Sequence, residues 1–236
     1  GDSVDLSGGG HFSGRLTAPI CFAGAVAMQL LERRGVSVRA RISEIAGIQD
    51  AYEGDLSGVA AKDFPVIDDR AGVMMREAIE RARLEGDSVG GVIECAIGGL
   101  PAGLGEPMLD GVESVLARLL FAIPAVRGVE FGAGFAAARM RGSVHNDPFI
   151  QDDGHSRTAA NRHAGILGGI TTGMPIVFRV AFKPTASIAK PQHTVNLREM
   201  REETIQVGGR HDPCVAPRAV PVVEAMAALG ILDLMM

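Results

Sequence analysis

The sequence predicts an α+β domain with an aliphatic core, on three observations. In the first half, stretches of alternating apolar residues interleave with stretches whose apolar residues recur at i, i+3 and i+4. In the second half, strand-like and irregular stretches dominate before a last apolar helical run. Apolar residues make up 47% of the 236, with no tryptophan and one tyrosine, so the core is built from branched aliphatics. A chain this long buries roughly 70–75% of its unfolded surface. Residues 1–236 read as a single domain, with no internal repeat of solenoid length.

The elements follow in order. Residues 13–34 read as a helix that starts properly at Pro19 and stops at Gly35. Residues 36–42, VSVRARI, alternate strictly and predict a half-buried strand. Residues 69–85 predict a helix with Met75, Ala78, Ile79 and Ala82 on one face, and with Arg76/Glu80 and Glu77/Arg81 paired on the other. Residues 88–97 are strand-like between glycines. Val112, Val115, Leu116, Leu119 and Leu120 form the stripe of a core-facing helix that Pro124 ends. Residues 126–140 predict two short strands about Gly132 and Gly134. Residues 143–163 read as a long irregular stretch, 175–183 as a strand (IVFRVAF at its centre) and 184–216 as irregular. Pro217 opens the final helix.

Composition excludes several classes. A net charge of −5 disfavours nucleic acid. Charge is uneven, however: residues 139–218 carry a net +4, which suits a small anionic ligand. The opening GDSVDLSGGG lacks the basic-then-apolar pattern of a signal peptide. The most apolar run, 219–236, is short and interrupted by Glu224 and Asp233, so no membrane span is expected. Cys21, Cys95 and Cys214 are odd in number and far apart, which predicts reduced thiols in a cytoplasmic protein.

Glycine, 31 residues, is about twice its usual share, and the opening cluster GGGHFSGRLTA (8–18) concentrates it. Three glycines running into a helix start suit a phosphate or carboxylate, and a plain tight turn is the alternative. Gly132-Ala-Gly134-Phe-Ala-Ala137 fits the dinucleotide fingerprint, but Gly142 leaves no room for the helix that the fingerprint needs. The six histidines lack HExxH or paired Cys/His spacing, so no metal is expected. NRHAGILGGITTG (161–173), the KPTAS run that closes a buried strand, and GRHDPC (209–214) with Arg218 put glycines beside cations and hydroxyls. Together they predict an anion-lined cleft.

These motifs closely resemble those of chorismate synthase. The glycine loop is similar to that family's GGGRSSARETA, the next two segments to its glycine-rich and KPT segments, and GRHDPCVAPRAVPVVEAM to its C-terminal signature. The resemblance spans the chain. It implies a layered β-α-β sandwich, usually a homotetramer, acting in the cytosolic shikimate pathway. It implies conversion of 5-enolpyruvylshikimate 3-phosphate to chorismate and phosphate, a 1,4-elimination that needs reduced FMN without net redox change. By the same resemblance FMN meets His11, Phe12 and Ser13; Pro124 and Ala125; Gly168; Lys183, Pro184, Thr185, Ala186 and Ser187; and Arg210. Arg15 and Arg218 match arginines that hold the substrate's phosphate or carboxylates. Asp233 matches an aspartate thought to handle a proton at the flavin. The residues alone add that Asp233 shares a helical face with Met226 and Leu229, a setting suited to proton transfer, with a surface aspartate as the alternative.

Two departures stand out. His11-Phe12 replaces Arg-Ser, exchanging a fixed charge for an aromatic face. The family also carries an N-terminal segment, with both catalytic histidines and several substrate arginines, ahead of the glycine loop. The expectation is therefore a truncated form that does not turn over alone. The enzyme and an FMN-binding or assembly module remain as the two readings.

Overall fold

The structure, a computed structural model, describes Gly10 and residues 13–51, 56–152 and 154–236. A 3-10 turn at Gly14–Thr17 leads into helix α1, Ala18–Glu32, with Pro19 in its first turn, where a missing N–H costs nothing. After Gly35 the chain forms β1, Ser37–Ile45, and the short β2, Ile48–Gln49. Asp68 caps α2, Asp69–Leu84, by accepting the Arg70 N–H. Next come β3, Gly91–Gly98, α3, Val112–Phe121, and β4, Val126–Phe131. A one-turn helix α4, Gly142–His145, precedes a hairpin of β5, Phe149–Asp152, and β6, His155–Thr158. A tight pair, β7 at Ile166–Leu167 and β8 at Ile170–Thr171, leads to β9, Ile176–Phe182. A second hairpin, β10 at Gln192–Asn196 and β11 at Arg201–Ile205, precedes α5, Ala216–Leu234.

One antiparallel sheet organises the domain, in the order β2-β1-β3-β9-β4. Alternation along its strands sorts the side chains. Val38, Ala40 and Ile42, then Ile93, Cys95 and Ile97, then Ile176, Phe178, Val180 and Phe182 all point into the core. Helix α5 lies on this face and contacts β1, β3, α1 and α3. The fold is α+β, a sheet beneath a helical layer.

The opposite face carries a row of charge. Arg41 stands opposite Glu94, Glu94 opposite Arg179, and Arg179 opposite Glu130, so four neighbouring strands alternate in sign. Arg41 Nη2 meets Glu94 Oε1 at 2.9 Å, and Arg179 Nη2 meets Glu130 Oε1 at 2.8 Å. Arg41 also reaches the buried Asp50 at 2.8 Å, and Asp50 in turn accepts the Ile67 and Asp68 N–H groups ahead of α2. A buried carboxylate satisfied this fully costs little to keep there.

Several expectations change. Residues 126–140 form one strand and a 3-10 turn, Gly134–Arg139, because the Glu130 carboxylate accepts the Phe135 N–H and winds the chain round itself. The irregular stretches 143–163 and 184–216 each hold a hairpin, and Asn196 Oδ1 turns the second by accepting the Arg198 and Glu199 N–H groups. On α2 the ion pair is Glu80–Arg83, three residues apart, while Arg76 stacks 4.8 Å from the Phe64 ring centroid. Among the described residues, the one helix long and apolar enough to cross a membrane, by length and composition alone, is Gly14–Glu32, not the C-terminal run. Leu16, Phe22, Val26 and Leu30 along it are 41–76% exposed, whereas α5 is mostly buried.

Small residues let α5 sit close to its neighbours. A Cβ at Gly24 of α1 would overlap the Cα and Cβ of Ala225, and one at Gly230 would lie 2.8 Å from Leu119 Cδ1. One charged side chain is drawn into this layer: Glu224 Oε1 accepts the Ala40 N–H at 2.8 Å, on the edge of β1 that β2 leaves uncovered. Burial raises the Glu224 pKa, against the opposing pulls of the Ala40 N–H and Arg39. A carboxyl raised on folding contributes stability that is full below its unfolded pKa of about 4.3 and is lost as pH rises through the folded value. Glu224→Gln keeps the acceptor and cannot titrate. Its melting temperature relative to wild type is therefore expected to climb between about pH 4 and about pH 7; a difference that stays constant would show that folding does not shift the Glu224 carboxyl.

Candidate functional site

The candidate cleft forms where β9 ends. Phe182 pairs with Gly91 of β3 on one side and Val126 of β4 on the other, so the residues after it emerge between two strand starts. The Lys183 N–H donates to the Ala125 carbonyl at 3.0 Å. Ala125, beside Pro124, holds a left-handed φ of 74° without being glycine, a local strain that accompanies functional turns. Ser88 Oγ donates to the Thr185 carbonyl at 2.7 Å, and the Val89 N–H donates to the Pro213 carbonyl at 2.8 Å, which brings in the loop ahead of α5. Ser187 Oγ meets His211 Nδ1 at 3.1 Å, and Arg218 Nη1 meets Asp212 Oδ2 at 2.9 Å. Ala125, the 183–187 run, the 210–212 loop and Arg218 are thus joined by direct contacts.

The electrostatics favour an anion. Lys183 reaches only the Pro184 carbonyl, at 3.4 Å, and among the described residues neither it nor Arg210 has a carboxylate partner. Lys190, a few residues on, differs. It is bonded to Asp87 at 2.7 Å, and that bond lowers the Asp87 pKa and raises its own. Thr185 Oγ1 is a buried side-chain oxygen with no hydrogen-bond partner. Leaving a buried hydroxyl unpaired costs about 1–3 kcal/mol, which makes Thr185 Oγ1 a candidate ligand contact. Behind the loop, burial pushes the Cys214 thiol up to about 11, so it stays protonated. Among the described residues no three His, Cys, Asp or Glu side chains converge as metal ligands.

Other sequence-expected residues lie apart. Gly168 turns the β7–β8 pair, and the neighbouring Gly169 carbonyl accepts the Val112 N–H at the start of α3. Ala125 follows the other end of that ten-residue helix, about 15 Å away along its axis. Asp233 is exposed in the last turn of α5, fifteen residues and about 22 Å of helix beyond Arg218. The apolar stripe that carries Asp233 runs past Gly230, where the α3 side chains that cover it are packed, so the expected burial does not reach it. Arg15 is exposed in the turn before α1, and Ser13 caps that turn by accepting the Arg15 N–H at 3.2 Å. His11 and Phe12 lie outside the described residues. Sequence reasoning missed Ser88, His211 and Asp212 as members of the cleft. The last two stand inside a motif already singled out, and the double glycine after Ser88 was the signal for the first.

A model of the chorismate synthase family matches residues 2–236. The chain belongs to the chorismate synthase family. It is similar to the chorismate synthase of Korarchaeum cryptofilum, with 53% identity over 97% of this chain and 64% of that protein. The one from Pyrococcus abyssi is 50% identical over the same shares. A crystal structure of a chorismate synthase superposes with a TM-score of 0.75 at 26% identity, covering 94% of this chain and 63% of that one. The chain therefore spans a little under two thirds of the length of these relatives.

The family implies a flavin, and the residues present fit one. Two cations without carboxylate partners and an orphaned buried hydroxyl match a ligand with an anionic group and several hydrogen-bonding atoms. Thr185→Val removes that hydroxyl while keeping the shape. The ligand-free chain is expected to melt higher, because the unpaired oxygen is gone, and to bind flavin more weakly. A lower melting temperature would show that Thr185 Oγ1 is satisfied in the free protein.

Proposed function

We propose that this chain forms the FMN- and substrate-holding part of a cytosolic, homotetrameric chorismate synthase. The carrying observation lies at the end of β9, where the Ser187–His211 bond ties the loop of Arg210 to the run that holds Lys183 and the orphaned Thr185 hydroxyl, and neither cation has a carboxylate partner among the described residues. The reaction is the 1,4-elimination of phosphate from 5-enolpyruvylshikimate 3-phosphate. A C–H bond loses its proton, the double bond shifts, and the C–O bond to phosphate breaks. Bound reduced FMN supplies the electron-rich partner that this elimination requires, with no net redox change.

The chain's own residues bind and orient. Lys183 and Arg210 neutralise anionic charge on the cofactor, and Thr185 fixes a ligand atom in a site that water does not reach. Arg218, oriented by Asp212, presents a planar fork suited to a substrate phosphate or carboxylate, and Arg15 serves the same chemistry from the start of α1. Ser13 and the residues before it, Pro124 with Ala125, and Gly168 line the flavin. Asp233 handles a proton. The exposed apolar side of α1, which carries Phe22 and Val26, supports assembly, since such patches mark interaction surfaces.

Flavin fluorescence tests binding. Arg210→Ala is expected to weaken FMN tenfold or more, the typical loss for one charge-assisted contact; equal binding by wild type and variant removes Arg210 from the site. Turnover is tested separately, anaerobically, with reduced FMN. The 236-residue chain by itself is expected to yield no chorismate, and to yield it once joined to the segment by which the relatives are longer. In that active form Asp233→Asn is expected to slow turnover far more than it weakens FMN binding, because it removes a proton-transfer group while keeping the shape. An unimpaired Asp233→Asn enzyme makes the aspartate structural.

A further inference from the structure

His211 sits between two partners of different kinds. Its Nε2 lies 3.0 Å from the Val207 carbonyl oxygen, and its Nδ1 lies 3.1 Å from Ser187 Oγ. A carbonyl oxygen can only accept, so Nε2 carries the proton of the neutral ring. Nδ1 is then a bare acceptor, and the one hydrogen bond left to it is donated by the Ser187 hydroxyl. The serine's single proton is thereby committed, and only its lone pairs remain for a ligand. The neighbouring Thr185 hydroxyl is in the opposite condition, with Oγ1 unpartnered and both its proton and its lone pairs uncommitted.

We propose that His211 is a positioning residue that sets the hydrogen-bond polarity of the cleft. By holding Ser187 as a pure acceptor, it makes that position read a donor on the bound flavin, a ring N–H or a ribityl hydroxyl. The phosphate, whose oxygens are acceptors at neutral pH, is turned away from Ser187 toward Lys183, Arg210 and Thr185. The inference rests on the reading that a flavin occupies this cleft. It adds which part of the flavin faces which end of the 183–187 run.

The test compares riboflavin, which lacks the phosphate, with FMN in fluorescence titrations of the 236-residue chain. Ser187→Ala is expected to weaken both ligands by the same factor, about three- to tenfold. His211→Gln keeps a donor for Val207 and loses the acceptor for Ser187, so it is expected to behave like Ser187→Ala. His211→Asn places an amide oxygen near the position of Nδ1 and is expected to restore most of the affinity. Arg210→Ala is expected to weaken FMN and spare riboflavin. A Ser187→Ala loss confined to FMN overturns the proposal, since Ser187 would then face the phosphate. So does a Ser187→Ala chain that binds both ligands normally, or an Asn variant no better than the Gln variant.

Wild type that binds neither flavin overturns the cofactor reading itself, and the proposed ligand contact with it. The polarity has a readout that needs no ligand. A long-range 15N–1H spectrum of the free chain is expected to place the His211 ring proton on Nε2, and a proton on Nδ1 overturns the proposal whatever the flavin does.

Discussion

Helix α5 is the constraint on which the rest of the structure depends. It is buried against the sheet, α1 and α3 together, and a helix enclosed on three sides has to be slim. Alanine and glycine at its contact points make it so. Gly24 accepts Ala225, Gly230 admits Leu119 and Leu116, and Ala216 lies against Gly91, where a Cβ would come within 2.9 Å. Interiors packed at crystal density transmit such limits, because no neighbour can yield without moving another. The loop that carries Arg210, His211 and Asp212 leads directly into this helix, and Arg218 is in its first turn. The position of the cleft's cations is therefore inherited from the packing of α5.

The cleft itself is built at some cost to the free chain. Among the described residues, Lys183 and Arg210 lack carboxylate partners, a hydroxyl is buried unpaired, and Ala125 is held in a conformation natural to glycine. A domain under no functional demand would pair the cations and turn with glycine. Such departures from local optimality mark the places where a fold accommodates something other than itself. The core strands β3 and β9, by contrast, keep to strict alternation of buried and half-buried residues.

Much of the fold was legible because periodicity reports burial directly. The stripe at Val112, Val115, Leu116 and Leu120 lies in the core as its spacing requires, and residues 36–42 and 175–183 fall on two strands of the sheet. The two hairpins were illegible for the same reason. Strands β5 and β11 are exposed along their length, so no alternation was imposed on them, and the turn of the second hairpin is made by Asn196 side-chain hydrogen bonds that spacing does not show. The cleft was legible as a set of motifs, since glycines and cations cluster in sequence. Its inner contacts were not. The Ser187–His211 and Ser88–Thr185 bonds join residues 24 and 97 positions apart. Asp233 shows the limit of helical-face reasoning: a position on an apolar stripe is buried only as far as the covering layer extends.

The row of alternating charge across β1, β3, β9 and β4 has a consequence for how the sheet finds its alignment. On the core side, β9 offers Ile176, Phe178, Val180 and Phe182, a uniform series that would tolerate sliding by two residues with little loss. The other side does not share that tolerance. A two-residue slip of β9 against β3 places Glu94 opposite Val177 or Ala181 and strands Arg179 from Glu130 as well. The apolar face thus supplies cohesion without an address, and the charged face supplies the address: four side chains act as a vernier that reads true in one alignment of strands far apart in the chain.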